Sequence, residues 1–229
     1  MTTHPTVSRS RREARRASRQ RILDACHALL EEKSWSEIRL DEVMERAELN
    51  RTTFYRHFDD REGLLLALLE ALGLELELTA RPWEDEPDDP RAGKRAALTA
   101  LTDTFVRHGR VLGAISDAAG NEPEIGALYQ ELADRLVAGV EERIRADIAA
   151  GHTTLEDPHE AARALVWLNE RYLHATFGRR PFAAEPEVAV ATLYEIWTRT
   201  LYGTPAGEGR DEIGGIAREH RRVKEDAYP

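Results

Sequence analysis

Apolar residues recur at a spacing of three and four along most of the chain, and this periodicity constrains the fold more than any other feature. The first stripe consists of Ile22, Ala25, Cys26, Leu29 and Leu30, which lie on one face of a helix. No stretch sustains the period of two that is typical of a strand with one buried face. The sequence therefore predicts an all-α fold of about nine helices.

Prolines and glycines divide this pattern into segments. Residues 82–90, PWEDEPDDP, are rich in proline and acidic residues and are predicted to be a linker that no helix crosses. Asp157, Pro158 and Glu160 predict an N-cap, a first-turn proline and a capping-box acid. The helices predicted after the linker are residues 93–109, 111–118, 123–150, 158–177 and 187–202. Residues 204–229 have few apolar side chains and are predicted to be mostly disordered.

Charge is unevenly distributed along the 229 residues. Residues 1–21 hold seven arginines and one acidic residue, whereas the whole chain has a formal net charge of −10. We expect residues 1–20 to form a flexible basic arm that contacts phosphates. The single cysteine excludes an intrachain disulfide, and no apolar run is long enough to cross a membrane. These features favour a cytoplasmic protein with no membrane partner.

Two short helices follow each other closely in the first third of the chain. One covers residues 40–47, and the next begins after only three residues. This spacing is typical of a helix-turn-helix, with Asn50 as the N-cap of its second helix. If Phe54 and Phe58 face the core, then Thr52, Thr53, Tyr55 and Arg56 project outward, where they suit base edges and phosphates. A structural hairpin with a solvated polar face is the alternative that composition leaves open.

The stretch LDEVMERAELNRTTFYRHFDDREGLLLALL, residues 40–69, closely resembles the DNA-binding signature of TetR-family transcriptional regulators. The resemblance implies an all-helical homodimer that binds a double-stranded DNA operator. It also implies a three-helix DNA-binding head, residues 21–61, and a ligand-binding and dimerisation domain, residues 62–203.

Position by position, the resemblance assigns DNA contacts to the second helix of the motif and its surroundings. Arg51, Thr52 and Thr53 match base-reading positions. Tyr55 and His57 match groups that reach phosphate or a thymine methyl, and Arg61 replaces a usual lysine that contacts phosphate. Two departures stand out. Glu48 occupies a turn position that is usually glycine, and Arg39 replaces the usual Ser or Thr cap, where it weakens the cap but can add a phosphate contact.

A second resemblance concerns residues 164–178, ALVWLNERYLHATFG, and residues 195–203, EIWTRTLYG. Both segments look like the ethionamide-regulator (EthR) branch of the family, in which an apolar tunnel runs through each subunit. The resemblance implies that Phe105, Asn169 and Trp197 line such a tunnel, and Trp167 lies in the same segment. Asn169 lies among apolar residues, so it is either satisfied within the protein or serves as the polar group of a cavity.

These observations predict a transcriptional repressor that a small lipophilic ligand releases from a palindromic operator. No catalytic motif is present in the sequence, and no cofactor or metal is expected. A regulator without a ligand switch and an all-helical ligand-binding enzyme are the alternatives. The basic segment joined to TTFYRHF argues against the enzyme.

Overall fold

The computed structural model describes residues 5–85, 89–178 and 184–203, and within them the regular structure is helical. The predicted tail, residues 204–229, lies outside the described residues. A 3₁₀ turn, Trp35–Glu37, precedes the second helix. The α-helices are α1 Pro5–Glu32, α2 Leu40–Arg46, α3 Arg51–Phe54, α4 Arg61–Leu78, α5 Arg81–Asp85, α6 Pro90–Ala119, α7 Pro123–Ala149, α8 Pro158–Phe177 and α9 Pro186–Tyr202.

Local capping chemistry sets most helix boundaries. Four N-caps accept a hydrogen bond from the backbone N–H three residues on, and each occupies the boundary between a turn and a helix. Helices α6 to α9 have proline in their first turn, where its missing N–H costs nothing. Gly151 and Gly203 adopt positive φ after α7 and α9. The four N-caps are Asn50, Asp60, Asp89 and Asp157.

The first helix is longer than predicted. We expected residues 1–20 to be a flexible arm, but α1 begins at Pro5 and continues to Glu32 without a break. Alanine, arginine and glutamine are good helix formers, and adding residues to an existing helix is far easier than nucleating one. The arginines of this segment are therefore carried on a helix.

The region around the predicted linker also differs from expectation. Part of residues 82–90 forms the short α5, which places Trp83 in the core. The predicted break after residue 109 is absent, because α6 runs straight through Gly109. A β-carbon at this glycine would lie 2.6 Å from the Phe177 backbone oxygen. Gly109 thus allows α6 to pass close to the end of α8 and does not terminate the helix.

Two helices determine how the parts of the molecule are arranged. Helices α1 to α3 form the head around a core that includes Ile22, Val43 and Phe54. Helix α4 leaves this head and continues into the larger body, while α6 runs through the body and packs against α1, α4, α5, α7, α8 and α9. The head and the body therefore share α4 and the contact of α1 with α6.

Candidate functional site

The turn between α2 and α3 contains a non-glycine residue in the left-handed region, at the position where the resembled family usually has glycine. Glu48 adopts φ 51°, a conformation that glycine adopts without cost. Arg21 of α1 donates to both the backbone carbonyl of Glu48, at 3.4 Å, and its carboxylate, at 3.2 Å. At the end of the turn, Asn50 Oδ1 accepts from the backbone N–H of Thr53 at 2.9 Å. Arg21 and Asn50 thus hold the beginning of α3 in place.

Helix α3 presents a polar face to solvent. Phe54 and Phe58 are buried, as the sequence predicted. Tyr55 is 56% exposed, and the outward face also contains Arg51, Thr52 and Arg56. This short face combines two guanidinium groups, a hydroxyl and a phenol, which can contact base edges and phosphates in a major groove.

Thr53 and His57 are only partly accessible. The Thr53 hydroxyl donates to Asn50 Oδ1 at 3.0 Å, which leaves its oxygen lone pairs as the polar group it can offer DNA. His57 Nε2 shares a hydrogen bond of 2.8 Å with the Ser18 hydroxyl of α1. Burial, reinforced by neighbouring arginines, lowers the pKa of His57, so the neutral ring is favoured. The Ser18 contact fixes the orientation of this ring.

Arg39 and Arg61 are in contrasting environments. The Arg39 side chain is 80% exposed and lies 3.5 Å from Glu42, and it forms no capping hydrogen bond. Arg61 stacks over the Trp35 ring, with its guanidinium carbon 4.3 Å from the ring centroid, and donates to the Ile38 carbonyl at 2.7 Å. These contacts join the start of α4 to the turn before α2. The phosphate contact expected of Arg61 stays a prediction, and the remaining guanidinium donors are those it can offer.

The arginines of α1 extend the basic surface beside α3. Arg15 donates to the backbone carbonyl of Arg56 at 3.2 Å, and the Arg19 guanidinium lies 5.3 Å from the Phe58 ring centroid. Arg11, Arg12 and Arg16 are exposed on the same helix. Such a surface can neutralise several phosphates along a DNA backbone.

A second candidate site is a cavity of about 340 Å³ within the body. It is lined by residues of α4 to α9 and by Thr79 and Ala80, and its lining is mostly apolar. The volume falls within the roughly 300–1,000 Å³ range of small-molecule sites. All four residues predicted for the ligand site line it, namely Phe105, Trp167, Asn169 and Trp197.

Most polar groups at the cavity wall already have partners. Asn169 Oδ1 accepts from Trp197 Nε1 at 2.9 Å, so the two alternatives for Asn169 are combined: it is bonded to the protein and it lines a cavity. Arg135 pairs with Glu77 at 2.8 Å. The Tyr129 hydroxyl donates to Glu170 at 2.7 Å. The Asn169 amide nitrogen remains the donor that this residue can present to a ligand.

Sequence reasoning missed two important residues of this cavity. Trp83 was assigned to the linker, and a single large aromatic residue within an acidic segment was the available signal. Lys94 occupies the same helical face as Leu98, Leu101 and Phe105, so the charged residue on an apolar stripe was the available signal. Leu136 and Gly139 of α7 also line the cavity.

Comparisons with known proteins match both the head and the body of the chain. The family model for bacterial regulatory proteins of the tetR family matches residues 22–68, and that for the C-terminal domain of the transcriptional regulator EthR matches residues 94–203. The HTH-type transcriptional regulator EthR of Mycolicibacterium smegmatis is 30% identical over 205 residues, covering 87% of this chain and 94% of that protein. The EthR protein of Mycobacterium tuberculosis is likewise 30% identical over 205 residues, covering 86% and 94%.

Solved structures show the same fold. A TetR-family transcriptional regulator from Syntrophomonas wolfei superimposes with a TM-score of 0.71 at 18% identity, covering 83% of this chain and 98% of that chain. A TetR-like regulator from Rhodococcus sp. RHA1 gives a TM-score of 0.65 at 21% identity, covering 82% and 97%. Within the described residues, no helix is long and apolar enough to span a membrane.

The chain therefore belongs to the TetR family of DNA-binding transcriptional regulators. Within that family its carboxy-terminal domain is of the EthR type.

Proposed function

We propose that this regulator is a cytoplasmic homodimeric repressor that leaves a palindromic operator when a small lipophilic ligand occupies the cavity. Arg51, Thr52 and Thr53 select the base sequence. The residues that strengthen or orient the complex through phosphate contacts are Tyr55, Arg56, His57, Arg39, Arg61 and the arginines of α1. The observation that carries the proposal is that one helix, α4, contributes to both the head and the cavity.

Helix α4 provides a direct mechanical connection. Leu64 and Leu65 near its beginning are fully buried, in the same core as the head residues Ile22 and Phe54. Leu69 and Leu76 further along the same helix line the cavity. A ligand that shifts the second half of α4 must therefore move the first half or bend the helix. Either response changes the position of the head.

The required coupling is small. A ligand shifts an equilibrium only by the difference between its affinities for the two states. A tenfold loss of operator affinity corresponds to about 1.4 kcal/mol of coupling. A few displaced apolar contacts around a filled cavity supply this amount, at roughly 0.8 kcal/mol per buried methylene.

We propose dimerisation through α8 and α9, as the family resemblance implies. A single short recognition helix reads only part of a site, and a palindrome requires two heads spaced about 34–36 Å apart along the DNA. The outward side of α9 includes Ile196, which is 36% exposed. An apolar side chain in that position suits a contact with a second copy.

The test is operator binding by the full chain with and without a panel of neutral and acidic lipophilic compounds. Labelled DNA from the region upstream of the gene serves as the operator, and fluorescence anisotropy measures affinity. We expect at least one compound to weaken binding by about tenfold or more. Asn169→Ala and Trp167→Ala should bind DNA normally in the absence of compound but respond to it less.

Asn121→Ala is the matched control, because it removes an exposed amide at the end of α6 and away from the cavity. Its response should equal that of the wild type. If no compound in the panel changed operator affinity, or if the cavity variants responded like the wild type, the ligand switch would be wrong. The DNA-binding assignment would stand.

A further inference from the structure

Lys94 of α6 has an unusual environment for a lysine. Its side chain is 1% exposed, and its Nζ is buried with no hydrogen-bond partner among the described residues. The ammonium group contacts the ring of Trp83 and lies 4.0 Å from the ring centroid of Trp197. Indole faces favour a cation but accept no conventional hydrogen bond from it. Lys94 therefore lines the cavity with its donors unused.

Nearby carboxylates are already engaged. Asp147 favours the charged form of Lys94 through space, but it is paired with Arg143 at 2.8 Å and accepts from the Tyr202 hydroxyl at 2.6 Å. The carboxylates that line the cavity are Glu77 and Glu170, which are bound to Arg135 and Tyr129. A buried amine without an acceptor is costly, and burial lowers the pKa of Lys94 well below its ordinary value.

We propose that the ligand of this cavity is a lipophilic carboxylic acid whose carboxylate pairs with Lys94 Nζ. This inference rests on the proposed ligand switch and specifies its chemical class. A carboxylate supplies the missing acceptors, and its single negative charge balances one ammonium group. A phosphate dianion would leave a negative charge in a mostly apolar cavity, and a neutral carbonyl would supply no charge to pair with a protonated Lys94. An acid that enters uncharged can transfer its proton to the amine, which completes the pair.

Decanoate, 1-decanol and decylamine provide a matched probe series, because they share an apolar chain and differ in their head group. Isothermal titration calorimetry on the full chain gives their affinities, and operator anisotropy gives their effect on DNA binding. We expect decanoate to bind the wild type about tenfold or more tightly than decanol, and decylamine to bind most weakly.

Lys94→Met keeps an unbranched apolar side chain and removes the charge. We expect it to bind decanoate and decanol with equal affinity, within about twofold, since only the charge-dependent contact is lost. Arg95→Met is the matched control, because it removes one positive charge from the adjacent, exposed position. This variant should keep the wild-type preference for the acid. Unchanged operator binding without probe shows that each variant is folded.

The wild-type measurements decide the matter even if Lys94→Met does not fold. A crystal structure of the decanoate complex should place the carboxylate within hydrogen-bond distance of Lys94 Nζ. Equal wild-type affinities for decanoate and decanol, or a carboxylate bound away from Lys94, would overturn this inference. The ligand switch would still stand if neutral compounds released the operator. Failure of every compound, neutral and acidic, would overturn the ligand switch and this inference together.

Discussion

Arg39 and Arg61 are both arginines of the head beside the predicted DNA surface, yet their contacts give them different roles. The Arg39 guanidinium is largely solvent-exposed, and its ion pair with Glu42 at 3.5 Å leaves it room to approach a phosphate. Arg61 is held over Trp35 and bonded to the Ile38 carbonyl, so it connects α4 to the segment before α2. A charged hydrogen bond and a cation–π contact together stabilise such a connection by about 1–3 kcal/mol.

Replacing Arg61 by alanine should therefore lower the free energy of unfolding by about 1–3 kcal/mol, since both contacts are lost. Urea denaturation followed by circular dichroism measures this change. Arg39→Ala is the control. It should leave stability within about 0.5 kcal/mol of the wild type and reduce the salt dependence of operator binding by about one unit in the slope. The assignment would be wrong if Arg39→Ala lowered stability and Arg61→Ala did not.

Among the elements, α6 owes its close crossing with α8 to a single glycine. Gly109 brings the two helices to a distance at which a β-carbon would overlap the Phe177 backbone oxygen. Gly139 in α7 differs, because a β-carbon built there has no atom within 4 Å. Alanine at position 109 would therefore collide with the backbone of α8, whereas alanine at position 139 would meet no neighbouring atom.

Gly109→Ala should destabilise the protein by about 1–3 kcal/mol, because a backbone atom cannot move aside as a flexible side chain does. Gly139→Ala should raise stability by about 0.5–1 kcal/mol through its better helix propensity. Thermal and urea unfolding of the two variants test the pair. Equal effects would mean that α6 and α8 are not in close contact at Gly109.

At the scale of the whole molecule, two histidines connect the head to the body. His27 Nε2 of α1 and His108 Nδ1 of α6 share a hydrogen bond of 2.9 Å, and Glu75 of α4 lies 3.5 Å from His108. Burial is the largest effect on His108 and lowers its pKa. Glu75 and Glu31 raise this pKa, while the charges of His27 and Arg107 lower it further. A hydrogen bond between two rings requires that at least one of them stays neutral.

This contact should make the molecule sensitive to acid. The unfolded chain protonates His108 near its ordinary pKa of 6.5, whereas the folded protein protonates it only at lower pH. The unfolded state then binds more protons, so stability decreases as the pH falls below about 6.5. His108→Asn should reduce the loss measured by urea unfolding between pH 7 and pH 5.

His159→Asn is a suitable control for this pH series. Glu141 accepts a hydrogen bond from this exposed histidine and raises its pKa, so protonating His159 favours the folded state. The His159→Asn variant should therefore lose at least as much stability between pH 7 and pH 5 as the wild type. If His108→Asn retained the full wild-type loss, the histidine contact would not contribute to pH sensitivity.

The sequence by itself determined the features that depend on neighbouring residues. Asn50, Asp157 and Gly203 marked helix ends correctly, because capping bonds and positive φ involve only a few successive residues. The spacing of the apolar residues placed Phe54 and Phe58 inside the head for the same reason. The four predicted cavity residues also line one cavity, although the family resemblance supplied the assignment of Phe105, Asn169 and Trp197.

Only the tertiary structure decided which residues meet across helices. Gly109 resembles a helix end in the sequence but lies inside α6, because the approach of α8 requires a residue without a side chain. Arg61 stacks on Trp35, which is 26 positions away, and no local pattern predicted this contact. Lys94 resembles a surface lysine, and its burial results from α5 folding Trp83 over it. These contacts depend on where the helices cross, which local sequence patterns do not specify.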